Sequence, residues 1–407
     1  MSATGDRWGI PETRFGVDNW LCGAIATLLL WGLIMVASAS VAQATKLTGD
    51  PFYFFYRQLL FMAVGGAGGF ALYCVPMRQW QRSSNWLLLF AVALLALVLI
   101  PGIGVKVNGA RRWIDVGLFR LQASEPVRLA LIIWISAYIT RRQVQLQSSL
   151  KGLAMPIIAI LFPCFLLLCE PDFGATAILL GVVFLMLFLG GARVHYYAMI
   201  VGVAGAGLAL IAVAAPYRLQ RMLNFMNPWA DVENAGWQLA QSLIAVGRGE
   251  WTGVGLGNSV QKLLYLPEMH TDFIFAILAE EFGLLGIAIL LSLFGIVVWR
   301  GFAIARAAEL DGRRFSAYLC YGLSGWIGLQ ALINMAVNMG LLPTKGLTLP
   351  MISSGGSSLM TVCALIGLIL RVDYENRAAA GGVVSTENGA RERPLRTDGA
   401  RAQGVRS

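Results

Sequence analysis

The segment LPEMHTDFIF, residues 266–275, places acid–base groups directly before a long apolar run. A carboxylate at the boundary of a low-dielectric region has its pKa raised by desolvation, towards the range of a general base. Asp272 is therefore the candidate catalytic base. Glu268 and His270 either tune its pKa and contact sugars or serve only the loop. The alternative for Thr271 or Asp272 is that one of them is the N-cap of the following helix.

Cationic residues on the predicted outer face of the membrane suggest a site for an anionic substrate. Membrane insertion favours Lys and Arg in cytoplasmic loops, so these outward-facing cations need another explanation. The candidates for holding a substrate phosphate are Arg111, Lys345, Arg112 and Lys262. Solvation in a loop, or contact with lipid phosphate, explains the same charges and fits Arg112 and Lys262 nearly as well.

Three further groups of charged residues are candidates for structural roles. Glu125 and Arg128 lie three positions apart on one helix face, where they form an ion pair or contact substrate. Asp172 is predicted to cap the helix that follows it. Glu280 and Glu281 lie too far along their helix to stand beside Asp272, and are predicted to pair internally.

Composition identifies the protein class that carries these residues. Of the 407 residues, 57% are hydrophobic and only 13% are charged, which is too apolar for a soluble domain of this length. The six Cys lie in or beside apolar runs without a Cys-x-x-Cys motif, and there are only two His. The sequence thus shows no metal-ligand pattern, and its glycine-rich segment 253–259 lacks the ending of a nucleotide loop.

Hydropathy predicts an all-α polytopic membrane protein of about ten transmembrane helices, each about 20 residues long. The predicted transmembrane domain covers 20–371, after a cytoplasmic N-terminal segment at 1–19 and before a disordered cytoplasmic tail at 372–407. A large extracytoplasmic loop, 216–271, separates spans seven and eight, and its segments YRLQRMLNFM and GWQLAQSLIAVG have helical spacing. The predicted spans are 20–44, 56–76, 86–104, 123–140, 152–169, 175–192, 197–215, 272–299, 316–338 and 357–371.

Several long motifs, in order, resemble the SEDS family of shape, elongation, division and sporulation proteins. The resemblance covers roughly 20–375, and LPTKGLTLP is similar to the division branch rather than the elongation branch. The chain departs from the family pattern at Ala123, Arg128 and Ser354, where the family usually has Pro, Lys and Tyr. The motifs are NGARRWIDVG, LQASEPVRLAL, EPDFGAT, YRLQRMLNFMNPWAD, GWQLAQSLIAVGRGEWTGVGLGNSVQKLLYLPEMHTDFIFAILAEEFG and NMGLLPTKGLTLPMISSGGSS.

The resemblance implies an enzyme of the bacterial inner membrane, at the division septum, that polymerises lipid II into peptidoglycan glycan strands. It implies a class B penicillin-binding protein, a transpeptidase, as partner, with other division membrane proteins and membrane lipid nearby and no nucleic acid. The outward-facing cations suit the pyrophosphate leaving group. A divalent cation, Mg²⁺ or Mn²⁺, could help to neutralise it. The rival functions are a lipid II flippase and a non-catalytic scaffold for division proteins.

Overall fold

The computed structural model describes residues 17–107, 110–117, 120–214, 225–231, 236–263, 266, 268–344 and 346–391. This part of the chain contains eleven α-helices and one small sheet. The helices are α1 (Asn19–Thr48), α2 (Tyr53–Cys74), α3 (Met77–Leu99), α4 (Ser124–Ser148), α5 (Leu150–Cys169), α6 (Phe173–Leu189), α7 (Val194–Ala214), α8 (Trp237–Arg248), α9 (Ile274–Leu310), α10 (Arg314–Asn338) and α11 (Gly356–Arg391).

Each predicted span coincides with one helix of at least 17 residues, and among the described α-helices only the short α8 lies outside this set. Five helices, α1, α3, α5, α9 and α11, have an apolar stretch long enough to cross a membrane. The chain is therefore an all-α, multi-pass membrane protein, as the sequence predicts. The total of ten spans remains a prediction, because only five of the described helices meet the length and hydropathy criteria for a membrane span.

Helix α10 lies inside the bundle, since most of its side chains are buried, among them Tyr318, Trp326 and Asn334. Helices α2 and α11 approach each other through small residues. A Cβ placed on Gly69 would lie 2.5 Å from the Cys363 carbonyl oxygen, so no larger residue fits there without a shift. Backbone contact of this kind is common where helices associate in membranes.

A three-stranded antiparallel sheet covers one end of the bundle, which we call the cavity end. Its strands are β1 (Gly104–Val107), β2 (Ala110–Asp115) and β3 (Arg120–Gln122), with β2 in the middle. Trp113 pairs with Gln122 across β2 and β3. The sheet is a local departure from the predicted all-α fold, and it fixes residues that the sequence leaves in a loop.

The opposite end, which we call the tail end, is held by buried polar contacts. Asp18 caps α1 by accepting a hydrogen bond from the Leu21 backbone N–H at 2.9 Å, and it forms a buried ion pair with Arg300. The predicted disordered tail at 372–407 is wrong in its first part, because α11 continues to Arg391. Asn376 of this extension is buried and donates to the Ile304 carbonyl oxygen at 2.9 Å.

The predicted loop 216–271 is partly helical. GWQLAQSLIAVG forms α8, which packs on α9 and buries Leu239, Ala240 and Ala245. This confirms the helical prediction for that segment. The segment YRLQRMLNFM lies mostly outside the described residues.

Candidate functional site

Asp272 lies two residues before α9 and does not cap it. The N-cap is Phe273, without a side-chain cap, so neither Thr271 nor Asp272 has the capping role considered from the sequence. The Asp272 backbone carbonyl accepts hydrogen bonds from the side-chain amides of Asn334, at 2.9 Å, and Asn338, at 3.1 Å. Within the described part of the chain, no hydrogen bond reaches its carboxylate, which is therefore available to a ligand.

The Asp272 carboxylate opens into a cavity of about 500 Å³ at the cavity end, which we call the Asp272 cavity. Arg112, Glu268 and Ser357 are among its lining residues. Burial, reinforced by the negative charge of Glu268, raises the pKa of Asp272 to about 7, although Arg112 opposes the shift. A carboxyl with a pKa near neutral can take a proton from a hydroxyl group and release it again.

Backbone and hydroxyl contacts from the segment before α11 hold the chain around Asp272. The Ser353 hydroxyl donates to the Thr271 carbonyl oxygen at 2.6 Å and accepts from the Leu349 backbone N–H at 2.7 Å. The Ser354 backbone N–H donates to the His270 carbonyl oxygen at 2.8 Å. These contacts fix the backbone on which the carboxylate stands.

The same Ser354–His270 backbone bond joins the start of the α11 segment to the loop that carries Glu268. Glu268 itself is exposed at the rim of the Asp272 cavity, where its carboxylate accepts a hydrogen bond from the Thr271 hydroxyl at 2.8 Å. Its negative charge contributes to the raised pKa of Asp272. Whether Glu268 contacts sugars stays a prediction.

Glu280 and Glu281 pair internally, as predicted, and the pairing ties the preceding loop to α9. Arg248 lies 3.3 Å from Glu280, and the Lys262 ammonium lies 2.9 Å from Glu281. The Ser259 hydroxyl also donates to Glu280, at 2.5 Å. Both glutamates lie in the first segment of α9, before the helix is broken at Gly283, where φ is +63°.

Lys262 does not have the position predicted for a phosphate ligand. Its ammonium group is partly buried, donates to both Glu281 and the Ser38 hydroxyl, and lines a mainly apolar groove rather than the Asp272 cavity. A lysine that already has a buried carboxylate partner is a structural ion pair. The structure therefore favours a structural role for Lys262 and places it outside the Asp272 cavity lining, so its role as a substrate ligand stays a prediction without structural support.

The remaining predicted cations have different positions. Arg112 lines the Asp272 cavity and donates to the carbonyl oxygens of Glu170, at 3.1 Å, and Pro171, at 2.5 Å. Arg111 is not among the lining residues, and its guanidinium reaches the Leu99 carbonyl oxygen at 3.5 Å. Lys345 lies outside the described residues. Of the four predicted phosphate ligands, the described structure thus brings only Arg112 into the Asp272 cavity lining.

The turn between α5 and α6 lies behind the Asp272 cavity, where it contacts two of the lining residues, Arg112 and Gln122. Asp172 caps α6, as predicted, by accepting from the Ala175 backbone N–H at 3.0 Å, and its other oxygen accepts from the Gln122 amide at 3.2 Å. The adjacent Glu170 is buried without a hydrogen-bond partner for either carboxylate oxygen in the described structure. Burial raises the pKa of Glu170 to about 8.

Glu125 and Arg128 are both buried but do not form the predicted ion pair within 4 Å in the described structure. Glu125 accepts a hydrogen bond from the Ser357 hydroxyl at 2.6 Å. Arg128 donates to Gln330 at 3.2 Å and lies over the Trp326 ring at 4.6 Å. Both residues lie on the same helix, but their side chains contact different neighbours. Any role in substrate binding stays a prediction.

A second cavity, of about 470 Å³, adjoins the first at the cavity end, and we call it the Arg57 cavity. Its lining includes Arg57 and Arg120, neither of which was a sequence-predicted site residue. His270, also in the lining, is buried against the Phe54 ring at 4.5 Å, and burial lowers its pKa. The sequence does contain a hint of Arg57. It is a cation near the start of an apolar helix, and no carboxylate lies four residues away to form an ion pair with it.

No group of three or more His, Cys, Asp and Glu side chains suitable for a metal ion is found in the described ranges. Asp272 and Glu268 still line one cavity and present carboxylate oxygens to it. Mg²⁺ in phosphate-handling sites commonly uses one or two carboxylates together with substrate phosphates. Carboxylates in this cavity lining therefore suit an ion that takes most of its ligands from substrate phosphates, but not a site built from protein ligands alone.

Comparison with known proteins gives a consistent family assignment. A family model described as cell cycle protein, FtsW/RodA/SpoVE, matches residues 19–378. A relative from Nitrosococcus halophilus, named "Probable peptidoglycan glycosyltransferase FtsW", is 50% identical over 360 residues, covering 88% of this chain and 93% of the relative. A relative of the same name from Legionella pneumophila is 49% identical over 360 residues, with coverages of 88% and 91%.

Solved structures show the same architecture. One matching chain belongs to a study of the coordination of polymerization and crosslinking by a peptidoglycan synthase complex. It has a TM-score of 0.73 and 28% identity, covering 89% of this chain and 99% of that one. The Thermus thermophilus rod shape determining protein RodA matches with a TM-score of 0.67 and 28% identity, with coverages of 89% and 98%.

Proposed function

This chain belongs to the FtsW/RodA/SpoVE family of cell cycle proteins, and we propose that it is a peptidoglycan glycosyltransferase that polymerises lipid II into glycan strands. The curated relatives named above carry that activity in their names and align along most of this chain. The activity is the one that the sequence resemblance implies. It also requires a site at the membrane surface, since lipid II joins a sugar to a membrane-embedded isoprenoid through pyrophosphate.

The observation that carries the mechanism is the Asp272 carboxylate, which faces a cavity without a described hydrogen-bond partner and has a pKa of about 7. The donor sugar is α-linked to pyrophosphate, whereas the product is β-linked. One inversion requires one in-line attack, and one base to take the proton of the attacking hydroxyl. Asp272 supplies that base, and no second catalytic carboxylate is needed.

In this mechanism, cationic side chains stabilise the pyrophosphate leaving group. Negative charge develops on the pyrophosphate as the glycosidic bond to it breaks, and fixed cations in a partly desolvated site stabilise that charge. Arg112 is the predicted cation that the structure supports, since it lines the cavity of the base. Lys345 remains a candidate from the sequence alone.

The proposed reaction has consequences for location and partners. We place the enzyme in the bacterial inner membrane at the division septum, with both termini in the cytoplasm and the cavity end outside. A class B penicillin-binding protein would crosslink the strands, consistent with the likeness to a chain of a peptidoglycan synthase complex. Other division membrane proteins and membrane lipid would surround the pair.

A divalent cation, Mg²⁺ or Mn²⁺, is part of the proposal as a helper of substrate binding. It would take most of its ligands from pyrophosphate oxygens, with the exposed carboxylate of Glu268 as the protein donor. When bound, the ion would neutralise charge on the pyrophosphate. The proton transfer proposed for Asp272 does not depend on it.

The direct test uses the full chain, purified with its cognate transpeptidase partner and supplied with lipid II. Formation of glycan strands, separated by length after removal of the lipid, supports the proposed enzyme. The same preparation in vesicles with labelled lipid II tests the rival flippase. Transbilayer movement without strand formation would favour the flippase, and neither activity, with intact partner binding, would favour the scaffold.

A further inference from the structure

The cations of the tail end fall into two groups with different partners. Around α1, α9 and α11, arginines pair with carboxylates, as Arg371 does with Glu375 at 2.9 Å. Where α4 ends, five cations form no ion pair within 4 Å in the described structure. We call these five the α4 basic patch: Arg141, Arg142, Lys151, Arg193 and Arg314.

Acidic residues are absent from most of the chain that forms this part of the bundle. No Asp or Glu occurs in 126–169 or in 173–230, which include most of α4 and all of α5, α6 and α7. Membrane insertion favours Lys and Arg on one side of the membrane but depends little on Asp and Glu, so it does not explain this absence. A surface that keeps its positive charge uncompensated suits an anionic ligand.

Neutral groups hold two arginines of the patch in place without cancelling their charge. Helix α4 is broken at Arg142, and its last turns contact two other segments. The Gln143 side-chain oxygen accepts from Arg314 at the start of α10, at 2.6 Å. The Gln147 backbone oxygen accepts from Arg193 of the α6–α7 turn, at 2.9 Å. Four residues are about 6 Å along a helix, so the end of α4 brings these arginines to neighbouring positions.

Both guanidinium groups keep donors for a ligand. Each has five N–H donors, and the described structure uses one of Arg193 and one of Arg314. Guanidinium groups bind phosphate oxygens through paired hydrogen bonds, which a single bond to α4 leaves possible. A phosphate placed there would therefore connect α4, the α6–α7 turn and α10.

Exposed apolar side chains beside the cations indicate where this phosphate comes from. Val144 lies two residues after Arg142, Leu150 precedes Lys151 and Val194 follows Arg193; all three apolar side chains are exposed. Cations beside exposed apolar residues are typical of the boundary between lipid headgroups and acyl chains.

We propose that the α4 basic patch binds the phosphate headgroup of an anionic phospholipid in the leaflet at the tail end. The exposed apolar residues would lie against its acyl chains. Basic pockets between transmembrane helices bind such headgroups in other membrane proteins. The inference is independent of the reaction proposed at Asp272, because it concerns binding at the opposite end of the bundle and needs no turnover.

The experiment titrates the purified full chain, in a neutral detergent, with radiolabelled dioctanoyl phosphatidylglycerol. Dioctanoyl phosphatidylcholine is the probe of a headgroup without net charge, and glycerol phosphate is the probe of phosphate without acyl chains. The unmodified protein should bind phosphatidylglycerol about tenfold more tightly than either of the other two. Arg193→Gln and Arg314→Gln should each weaken this binding about fivefold, and the double variant about 30-fold.

The charge-matched control is Lys46→Gln/Arg306→Gln, which removes two exposed cations from α1 and α9, helices without extensive contact with α4 in the described structure. It should bind phosphatidylglycerol like the unmodified protein. Arg193→Lys/Arg314→Lys keeps both charges but loses the paired donors, so its affinity should lie between those of the unmodified protein and the double Gln variant.

Equal phosphatidylglycerol affinity in the double Gln variant and the unmodified protein would overturn the proposal. Equal affinity of the unmodified protein for phosphatidylcholine would also overturn it, because the positive charge would then have no effect. Glycerol phosphate that binds as tightly as phosphatidylglycerol would indicate a site for a soluble anion and reject the lipid. Thermal unfolding checks that each variant is folded, and the two single variants decide the question if the double variant is not.

Discussion

Asp18 and Asp272 each stand directly before a long helix, at opposite ends of the bundle. Asp18 is 2% exposed, caps α1 and pairs with Arg300, so its carboxylate oxygens are occupied. Asp272 precedes α9 without capping it, and its carboxylate faces a cavity with no described hydrogen bond. In sequence the two look alike, as an acidic residue at a helix start.

The difference shows that partners, rather than residue type, separate a carboxylate that holds two helices together from one that is open to a ligand. At the tail end, the helix cap and the ion pair with Arg300 occupy the Asp18 carboxylate and hold the start of α1 to α9. At the cavity end, the polar side chains Asn334 and Asn338 bind the backbone of Asp272 instead of its carboxylate. The backbone of Asp272 is thus fixed in place while its carboxylate stays open to a ligand.

The largest expected effect is on catalysis by Asp272. Asp272→Asn should lower lipid II polymerisation about 10²- to 10⁴-fold, the usual loss when a general base is removed. Unfolding temperature should change little, because no described hydrogen bond depends on the carboxylate. The polymerisation rate is measured as glycan-strand formation by the purified complex. The unfolding temperature is measured by thermal unfolding in detergent.

The control for this prediction is Asp311→Asn, at an exposed position after α9, which should polymerise normally. Near-normal polymerisation by Asp272→Asn would reject Asp272 as the base. It would also remove the contrast between the two aspartates.

The second prediction concerns stability at the tail end. Asp18→Asn keeps a capping oxygen but leaves the buried Arg300 without its negative partner, which should lower the free energy of unfolding by about 3–5 kcal/mol. The folded fraction should retain its polymerisation rate. Chemical or thermal unfolding of the purified protein measures the loss. The double variant Asp18→Asn/Arg300→Met should recover part of the stability, and a failure to recover would argue against the pair.

The third prediction uses the pH dependence of the rate. The base must be deprotonated, so kcat/KM should rise as pH increases towards about 7, the pKa of Asp272, and level off above it. Glu268→Gln removes a neighbouring negative charge that raises this pKa, so the midpoint should move to lower pH. The comparison of midpoints is independent of any loss of maximal rate. An unchanged midpoint would show that Glu268 does not act on the base.

The smallest expected effect distinguishes two adjacent arginines of β2. Arg112→Ala removes a cation of the Asp272 cavity and two bonds to the α5–α6 turn, and should lower kcat/KM about tenfold or more. Arg111→Ala should stay within about threefold, since Arg111 does not line the cavity. Steady-state kinetics of both variants test this, and a larger loss for Arg111→Ala would restore the prediction made from sequence.

Much of the fold could be predicted because hydropathy acts locally. Each span reads as one apolar segment, and every predicted span coincides with a helix. The positions of candidate residues were predictable where a local pattern indicated them, as for Asp172, which caps α6, and Asp272, which lies just before α9 and lines a cavity. Arg57 and Arg120 were missed because their significance depends on cavities formed by segments far apart in sequence, such as α2, β3 and the start of α11.

The sequence by itself determined a polytopic helical membrane protein, a cluster of ionisable residues before the eighth predicted span, and the family resemblance. Those properties follow from composition, helical spacing and ordered motifs, all of which are local. Only the tertiary structure decided which charges meet. It paired Lys262 with Glu281, separated Glu125 from Arg128, and left the Asp272 carboxylate open, because each outcome depends on side chains that distant segments bring within a few ångströms.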